Sequence, residues 1–283
     1  MTGDIAEDGG EPPPPTQDVP CSVWRRGEVS ASFRAVPEET AIALTFNGST
    51  HAVMMATPAN LEEFAVGFAL TEGVIEAPSE IANLDIVATP LGVELRAWLK
   101  EPLARAYAAR RRSMAGPTGC GLCGIESLED ASRPAPFVPN VSRFSSESII
   151  QAMASLPARQ ELNRLTHAVH AAGFWLPGRG LVAVREDVGR HNALDKLVGA
   201  LARGGIAAAH GIILLTSRVS IELIQKAARL SAPVVAAVSC PTAAGIRLAE
   251  SCGITLIAIA RGQDFEIFTH PERIVDRAQN HVA

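Results

Sequence analysis

The sequence predicts an α/β fold: a C-terminal half built on a largely parallel sheet, preceded by a smaller N-terminal α+β domain. Three observations carry this. Beyond residue 145, the apolar runs LVAVREDV, GIILLTS, APVVAAV and GITLIAIA are separated by the helical segments RHNALDKLVGALAR, VSIELIQKAARL and TAAGIRLAESC. Such alternation builds a parallel sheet buried on both faces. Before residue 110, two short strand-like runs flank Asn47-Gly48, a hairpin signal. Between these parts the chain is rich in Gly and Pro, as a connecting loop is.

Residues 1–20 read as a tail, since Pro12 to Pro15 sit in an acidic, Gly-containing stretch that cannot bury a core. Residues 21–114 form the α+β domain. AIALTFNG and HAVMMA are its paired strands, and Asn60 with Glu63 gives a capping-box-like start to a helix that Gly73 stops. VELRAWLK alternates as a half-buried strand does. Residues 115–144, with AGPTGCGLCG and RPAPFVPN, are loop and linker, and residues 145–283 are the α/β domain.

The 283 residues leave room for two domains at ~100–200 residues each. The hydrophobic fraction of 47% and charged fraction of 19% are those of an ordinary globular chain. A net charge of −5 gives no electrostatic reason to bind nucleic acid or an anionic membrane. An anionic ligand therefore needs a local cluster of cations. No run approaches the ~18 apolar residues of a membrane span, and the acidic N-terminus lacks the basic and apolar regions of a signal peptide. Five cysteines, an odd and low count, argue against a secreted disulfide framework. A cytoplasmic location is expected.

Cys120 and Cys123 form a CxxC pair among Gly119, Gly121 and Gly124, downstream of Arg110, Arg111 and Arg112. The thiolate is the nucleophile, and nearby cations lower its pKa. An activated thiolate on such a loop suits carriage of a group between partners. Structural zinc would need two further ligands at sensible spacing. Cys240 and Cys252 instead sit in the strand–helix part, where they read as core residues. Thioredoxin-like exchange would need the pair at a strand-to-helix junction, and Gly119-x-Gly121-x-x-Gly124 lacks the preceding strand of a dinucleotide fingerprint. No His-x-Glu precedes the pair, which argues against zinc deaminase chemistry.

The second candidate region is the set of strand ends in the C-terminal half, where open α/β sheets bind ligands. After LVAV come Arg185, Glu186, Asp187, Gly189, Arg190, His191 and Asn192. After GIILL come Thr216, Ser217, Arg218 and Ser220, followed by Glu222 and Lys226. After GITLIAIA come Arg261, Gly262, Gln263 and Asp264. Helix N-termini and arginines favour phosphates, and Asp187 or Asp264 would accept the N–H groups of a guanine. Helix capping and surface ion pairing are the alternative role for each of these residues.

GCGLCGIESLEDA, REDVGRHNALDKLVGAL, SRVSIELIQKAARLSAPVVAAVSCPTAAGIRLAE and FTHPERI, with TPANLEEFAVGFALTEGVI upstream, resemble the formate dehydrogenase accessory sulfurtransferase family, FdhD. The resemblance covers roughly residues 40 to 275. It implies a C-terminal domain similar to cytidine deaminases, a three-layer α/β arrangement without the zinc site. It implies that sulfur is taken from a cysteine desulfurase as a persulfide on Cys120. That sulfur passes to the molybdenum bis(molybdopterin guanine dinucleotide) cofactor destined for formate dehydrogenase. The family's cofactor-binding segment maps onto Ile259, Ala260, Arg261, Gly262, Gln263 and Asp264, and a homodimer without a tightly held metal of its own is implied. Cys123 would resolve the persulfide or assist transfer. Two departures from the family pattern stand out. A T-G-G-x-H-A-A stretch is here Thr166 to Ala172 without glycines, and an S-G-R is here Ser217 followed directly by Arg218. A non-enzymatic cofactor chaperone and a thiol–disulfide oxidoreductase are the rival functions.

Overall fold

The computed structural model describes residues 10–114, 135–139 and 142–275. The N-terminal domain holds β3 (Thr40–Phe46), β4 (Ser49–Ala56), helix α1 (Leu61–Thr71), β5 (Ile81–Thr89), β6 (Gly92–Leu99) and helix α2 (Leu103–Met114). Its sheet runs β4-β3-β6-β5. Asn47 and Gly48, at φ of 49° and 75°, make the two-residue turn between β3 and β4 that their side chains predict. In β6 every second residue is buried, as its alternation requires.

The start of α1 departs from expectation. Asn60 is left-handed, at φ 55°, and makes no side-chain cap. Glu63 turns instead to Arg185, whose Nη2 donates to its carboxylate at 2.6 Å. An ion pair with the second domain outcompetes the local capping box.

The stretch read as a tail also departs from expectation. Strand β1 (Thr16–Arg25) pairs antiparallel with β2 (Glu28–Pro37) as a separate two-stranded ribbon. The reading missed it because Pro20 interrupts the apolar pattern. A two-stranded ribbon consists only of edges, and proline is tolerated there.

The C-terminal domain contains α3 (Ser146–Ser155), α4 (Glu161–Thr166), β7 (His170–Leu176), β8 (Gly180–Asp187), α5 (Arg190–Arg203), β9 (Ile212–Leu215), α6 (Ile221–Arg229), β10 (Val234–Ala237), α7 (Ala243–Cys252), β11 (Thr255–Arg261) and β12 (Asp264–Ile267). The sheet order is β12-β11-β10-β9-β7-β8. It is mixed rather than largely parallel. β9, β10 and β11 are parallel, while β7, β8 and β12 pair antiparallel with their neighbours.

Burial on both faces explains the unbroken apolar runs. Ile213, Leu215, Val235 and Ala237 pack with Leu194, Leu197, Leu223, Ile224 and Ala249 of α5–α7. Their neighbours Ile212, Leu214, Val234 and Ala236 pack with Ile149 and Ala152 of α3 on the other face. The result is three layers, with helices on both faces of the sheet. Val138, in the stretch read as linker, is 1% exposed and donates its N–H to Cys252 O at 2.8 Å, so this part belongs to the C-terminal core. Cys252 is buried as expected, but Cys240 is exposed. It lies beyond the end of β10, where the backbone has left the core.

The domains meet where α1 lies on α5. A Cβ on Gly67 would fall 1.7 Å from Asp195 O, and one on Gly199 would fall 1.8 Å from Glu63 O. Only glycine allows backbones this close. Because α1 is covered by its own sheet and by α5, it is apolar nearly all round, with Phe64, Ala65, Val66, Phe68 and Ala69 all buried. No helix among the described residues is long and apolar enough to cross a membrane.

Candidate functional site

Cys120 and Cys123, downstream of Arg110 to Arg112, are the residues expected to carry the sulfur chemistry. The cysteines lie outside the described residues, so the site is built from the strand ends.

Strand directions bring those ends together. β9, β10 and β11 are parallel, β7 opposes β9, and β8 opposes β7. The carboxyl ends of β8 to β11 therefore share one edge with the amino ends of β7 and β12. Along this edge stand His170, Asp187, Arg190, His191, Thr216 to Ser220, Val238 to Cys240, and the turn Arg261 to Asp264. A single His-x-Glu, His270-Pro271-Glu272, follows β12 and so lies at the opposite edge. There the His270 Nε2 is 2.9 Å from Glu250 O. Among the described residues no group of three or more His, Cys, Asp or Glu is arranged to hold a metal.

Asp187 ends β8 and is fully buried. Its Oδ1 accepts from Gly189 N at 2.7 Å and Asn192 Nδ2 at 3.0 Å; its Oδ2 accepts from Thr57 N at 3.1 Å and Lys196 Nζ at 2.6 Å. Four donors leave this carboxylate nothing to offer a guanine, contrary to expectation. Asp187 is a positioning residue. It sets the turn that aims Arg190 and His191 along the edge, and it ties that turn to the N-terminal domain through Thr57. Lys196 also donates to Thr57 O at 2.7 Å, and Asn192 donates to Met55 O at 2.9 Å. Asn192 and Lys196, four residues apart, share one face of α5. The spacing in EDVGRHNALDK thus encodes a clamp between the domains. Burial pulls the Lys196 pKa down and Asp187 holds it up.

A second buried pair repeats the design one turn away. Lys226 donates to Asp195 at 2.9 and 3.0 Å and to Thr71 Oγ1 at 3.0 Å. Each lysine also lies over a ring of α1, Lys196 over Phe64 and Lys226 over Phe68. Charges this deep are tolerated only when paired and hydrogen-bonded.

His191, in the first turn of α5, faces the start of α6. Its Nε2 lies 3.0 Å from Glu222 Oε2 and 3.3 Å from Ser220 Oγ, which itself donates to Glu222 Oε2 at 2.7 Å. The bond to His191 draws the Glu222 pKa from 4.5 down to about 2. Ser217 is buried and its hydroxyl donates to Arg218 O, while the Arg218 side chain is exposed at the edge.

The segment from Ile259 to Asp264 is irregular. Ile259 has φ 53°, a left-handed conformation that a β-branched residue rarely adopts, and the pairing of β11 with β12 slips between Ala258 and Arg261. Ala260 is buried, Arg261 donates to Val238 O at 3.2 Å, and Gly262, Gln263 and Asp264 are exposed. Left-handed β-branched residues cost on the order of 1–3 kcal/mol and cluster at ligand sites. Gln263 and Asp264 thus present exposed polar side chains on a strained turn, without a side-chain hydrogen bond among the described residues.

The family model of the FdhD/NarQ family matches residues 37–275. The chain belongs to the FdhD/NarQ family. Among relatives, the sulfur carrier protein FdhD of Agrobacterium fabrum is 54% identical over 252 residues, 89% of this chain and 93% of that one. The sulfur carrier protein FdhD of Brucella abortus is 52% identical over 262 residues, 92% and 97% of the two chains. The sulfur carrier protein FdhD of Cupriavidus necator is 46% identical over 272 residues, 95% and 94% of the two. A crystal structure assigned to a formate dehydrogenase accessory protein of Desulfotalea psychrophila matches with a TM-score of 0.71 and 26% identity. The match covers 93% of this chain and all of that one.

Sequence reasoning did not single out Thr57, Lys196 or His170 as part of this edge. Asn192 and Lys196 were legible as an i, i+4 pair. Thr57 was not, because its partner lies 130 residues away.

Proposed function

We propose that this chain is a sulfur carrier for the formate dehydrogenase system. In this reading it accepts sulfane sulfur from a cysteine desulfurase on Cys120 and passes it to the molybdenum bis(molybdopterin guanine dinucleotide) cofactor. One observation carries the reading: the family match spans the CxxC pair, and relatives up to 54% identical bear the name sulfur carrier protein. In the first step the Cys120 thiolate attacks the outer sulfur of the desulfurase persulfide. A new S–S bond forms, and the desulfurase cysteine leaves as a thiolate. In the second step the S–S bond breaks with its electron pair staying on Cys120, which returns as a thiolate, and the sulfane sulfur bonds to the cofactor in its reduced state, which supplies the two electrons that take that sulfur to the sulfide level. Cys123 resolves or assists.

The strand-end edge is the proposed docking surface for the cofactor. Gln263 and Asp264 stand at the β11 end for the guanine, and Arg190, His191, Ser217 and Arg218 stand further along for the rest. The sheet order, with an antiparallel pair followed by parallel strands, supports the deaminase-like reading of the C-terminal domain. A cytoplasmic homodimer is part of the same proposal.

The test is mass spectrometry after incubation with a desulfurase and cysteine. The peptide containing Cys120 is expected to gain one sulfur, to lose it when the molybdenum cofactor is added, and to gain none in Cys120→Ala. Stoichiometric zinc with no sulfur gain would replace this reading with a structural CxxC in a cofactor chaperone. A reversible Cys120–Cys123 disulfide with dithiol turnover would replace it with an oxidoreductase.

A further inference from the structure

The β1–β2 ribbon belongs to neither of the two larger sheets, and its two faces differ. Its register pairs Pro20 with Phe33, Ser22 with Ala31 and Trp24 with Val29, so these six side chains share one face. Val19, Cys21 and Val23 point the other way and are half-buried, and β2 runs beside α4. The first face is turned to solvent. Trp24 is 70% exposed, Val29 62% and Phe33 74%, with Pro20, Ser22 and Ala31 exposed between them. A contiguous apolar patch of more than a few hundred Å² marks an interaction site. At ~150–250 Å² per aromatic side chain, the exposed parts of Trp24 and Phe33 come to roughly 300 Å², and their neighbours bring the face to roughly 500 Å².

The pattern along this face is complementary to itself. The small pair Ser22 and Ala31 is flanked by Trp24 and Val29 towards the Arg26-Gly27 turn, and by Pro20 and Phe33 away from it. When a second ribbon is laid on it antiparallel, with the two-fold axis through the small pair, the bulky groups match. Trp24 and Val29 of each copy fall on Pro20 and Phe33 of the other. Charge follows the same symmetry. Asp18 lies four residues before Ser22 and Arg26 four residues after it, so each copy's carboxylate meets the other's guanidinium. Joining two ribbons edge to edge is the alternative, but Pro20 leaves the free edge of β1 short of a donor.

We infer that the outer face of the ribbon binds the same face of a second copy of this chain, in an isologous contact about a two-fold axis. The inference rests on the homodimer in the proposed function and gives that dimer a surface. The family model begins at residue 37, where the ribbon ends, so the contact goes beyond the matched part. Two faces of this size bury roughly 1,000 Å² together, the lower end for a specific interface. The dimer is therefore reversible rather than permanent.

The experiment is analytical ultracentrifugation of the full chain from about 1 to 100 µM, the range that suits an interface this small. A monomer–dimer equilibrium is expected. Trp24→Ser and Phe33→Ser are each expected to weaken it at least tenfold, without lowering Tm, because both side chains are exposed. Asp18→Lys should weaken it too, and Asp18→Lys with Arg26→Glu should restore it. A parent that stays monomeric overturns the inference, whatever the variants do. So does a dimer that Trp24→Ser and Phe33→Ser leave equally tight, which moves the contact to another face. Growth beyond dimers, as edge pairing would give, overturns it as well, and so does a charge-reversed double variant no tighter than Asp18→Lys. Sulfur gain on Cys120 in a monomeric parent rejects this inference alone. A dimer lost in both serine variants, in a protein that gains no sulfur, supports the ribbon contact and rejects the carrier reading.

Discussion

Replacing Gly199 by alanine would place a Cβ 1.8 Å from Glu63 O and 2.6 Å from its carbonyl carbon. A carbon normally approaches a carbonyl oxygen no closer than ~3.3 Å, so α1 and α5 must separate by roughly 1.5 Å. Both contacting groups are backbone, and no side chain can rotate away. A gap of even 0.5–1 Å forfeits a quarter to a half of the dispersion energy across a contact. Overpacking of this kind costs ~1–3 kcal/mol, and this seam belongs at the upper end. Near ~3 kcal/mol, a chain of this size loses about 6–12 °C in Tm. Ala202→Gly, on a less buried position of the same helix, costs ~1 kcal/mol through propensity alone and serves as the control. Thermal unfolding followed by circular dichroism is the assay. A Gly199→Ala protein melting within ~2 °C of the parent would refute the backbone-contact argument.

Other expectations follow from the buried charges. Lys196→Met leaves Asp187 ionised without its cation and should cost ~3–5 kcal/mol, read as a lower urea midpoint. Adding Asp187→Asn should recover part of that loss, and a double variant no better than additive would reject the pairing. Glu222 has its folded pKa lowered from 4.5 to about 2 by its bond to His191. Its contribution is therefore fully present above about pH 4.5 and is lost as pH falls toward about 2. Urea unfolding of the parent and of Glu222→Gln should converge in that window, and a constant difference down to pH 2.5 would remove the assignment.

Much of the C-terminal half was legible in advance because its signals are local. The segment RHNALDKLVGALAR is α5 end to end, and the four apolar runs are β8, β9, β10 and β11. The Asn47-Gly48 turn was equally plain, since φ > 0 at both positions is a property of those residues. The capping box at Asn60 failed because Glu63 had a better partner in Arg185, 122 residues distant. The β1–β2 ribbon was missed because the first half of β1 lies in the acidic, Pro-rich stretch read as a tail, with Pro20 inside the strand.

The sequence by itself determined β8 to β11 and the helices α5 to α7 that follow them, and which motifs carry the resemblance to the FdhD family. Periodicity, turn chemistry and motif spacing act over a few residues and survive without a partner. Tertiary structure decided the roles of the charged residues. Asp187, expected to face a ligand, is spent on Lys196 and Thr57, while the Nε of Arg190, three residues on, has no hydrogen-bond partner among the described residues. The physical reason is that the fate of a charge depends on which donors and acceptors surround it after burial, and those come from strands and helices far apart along the chain.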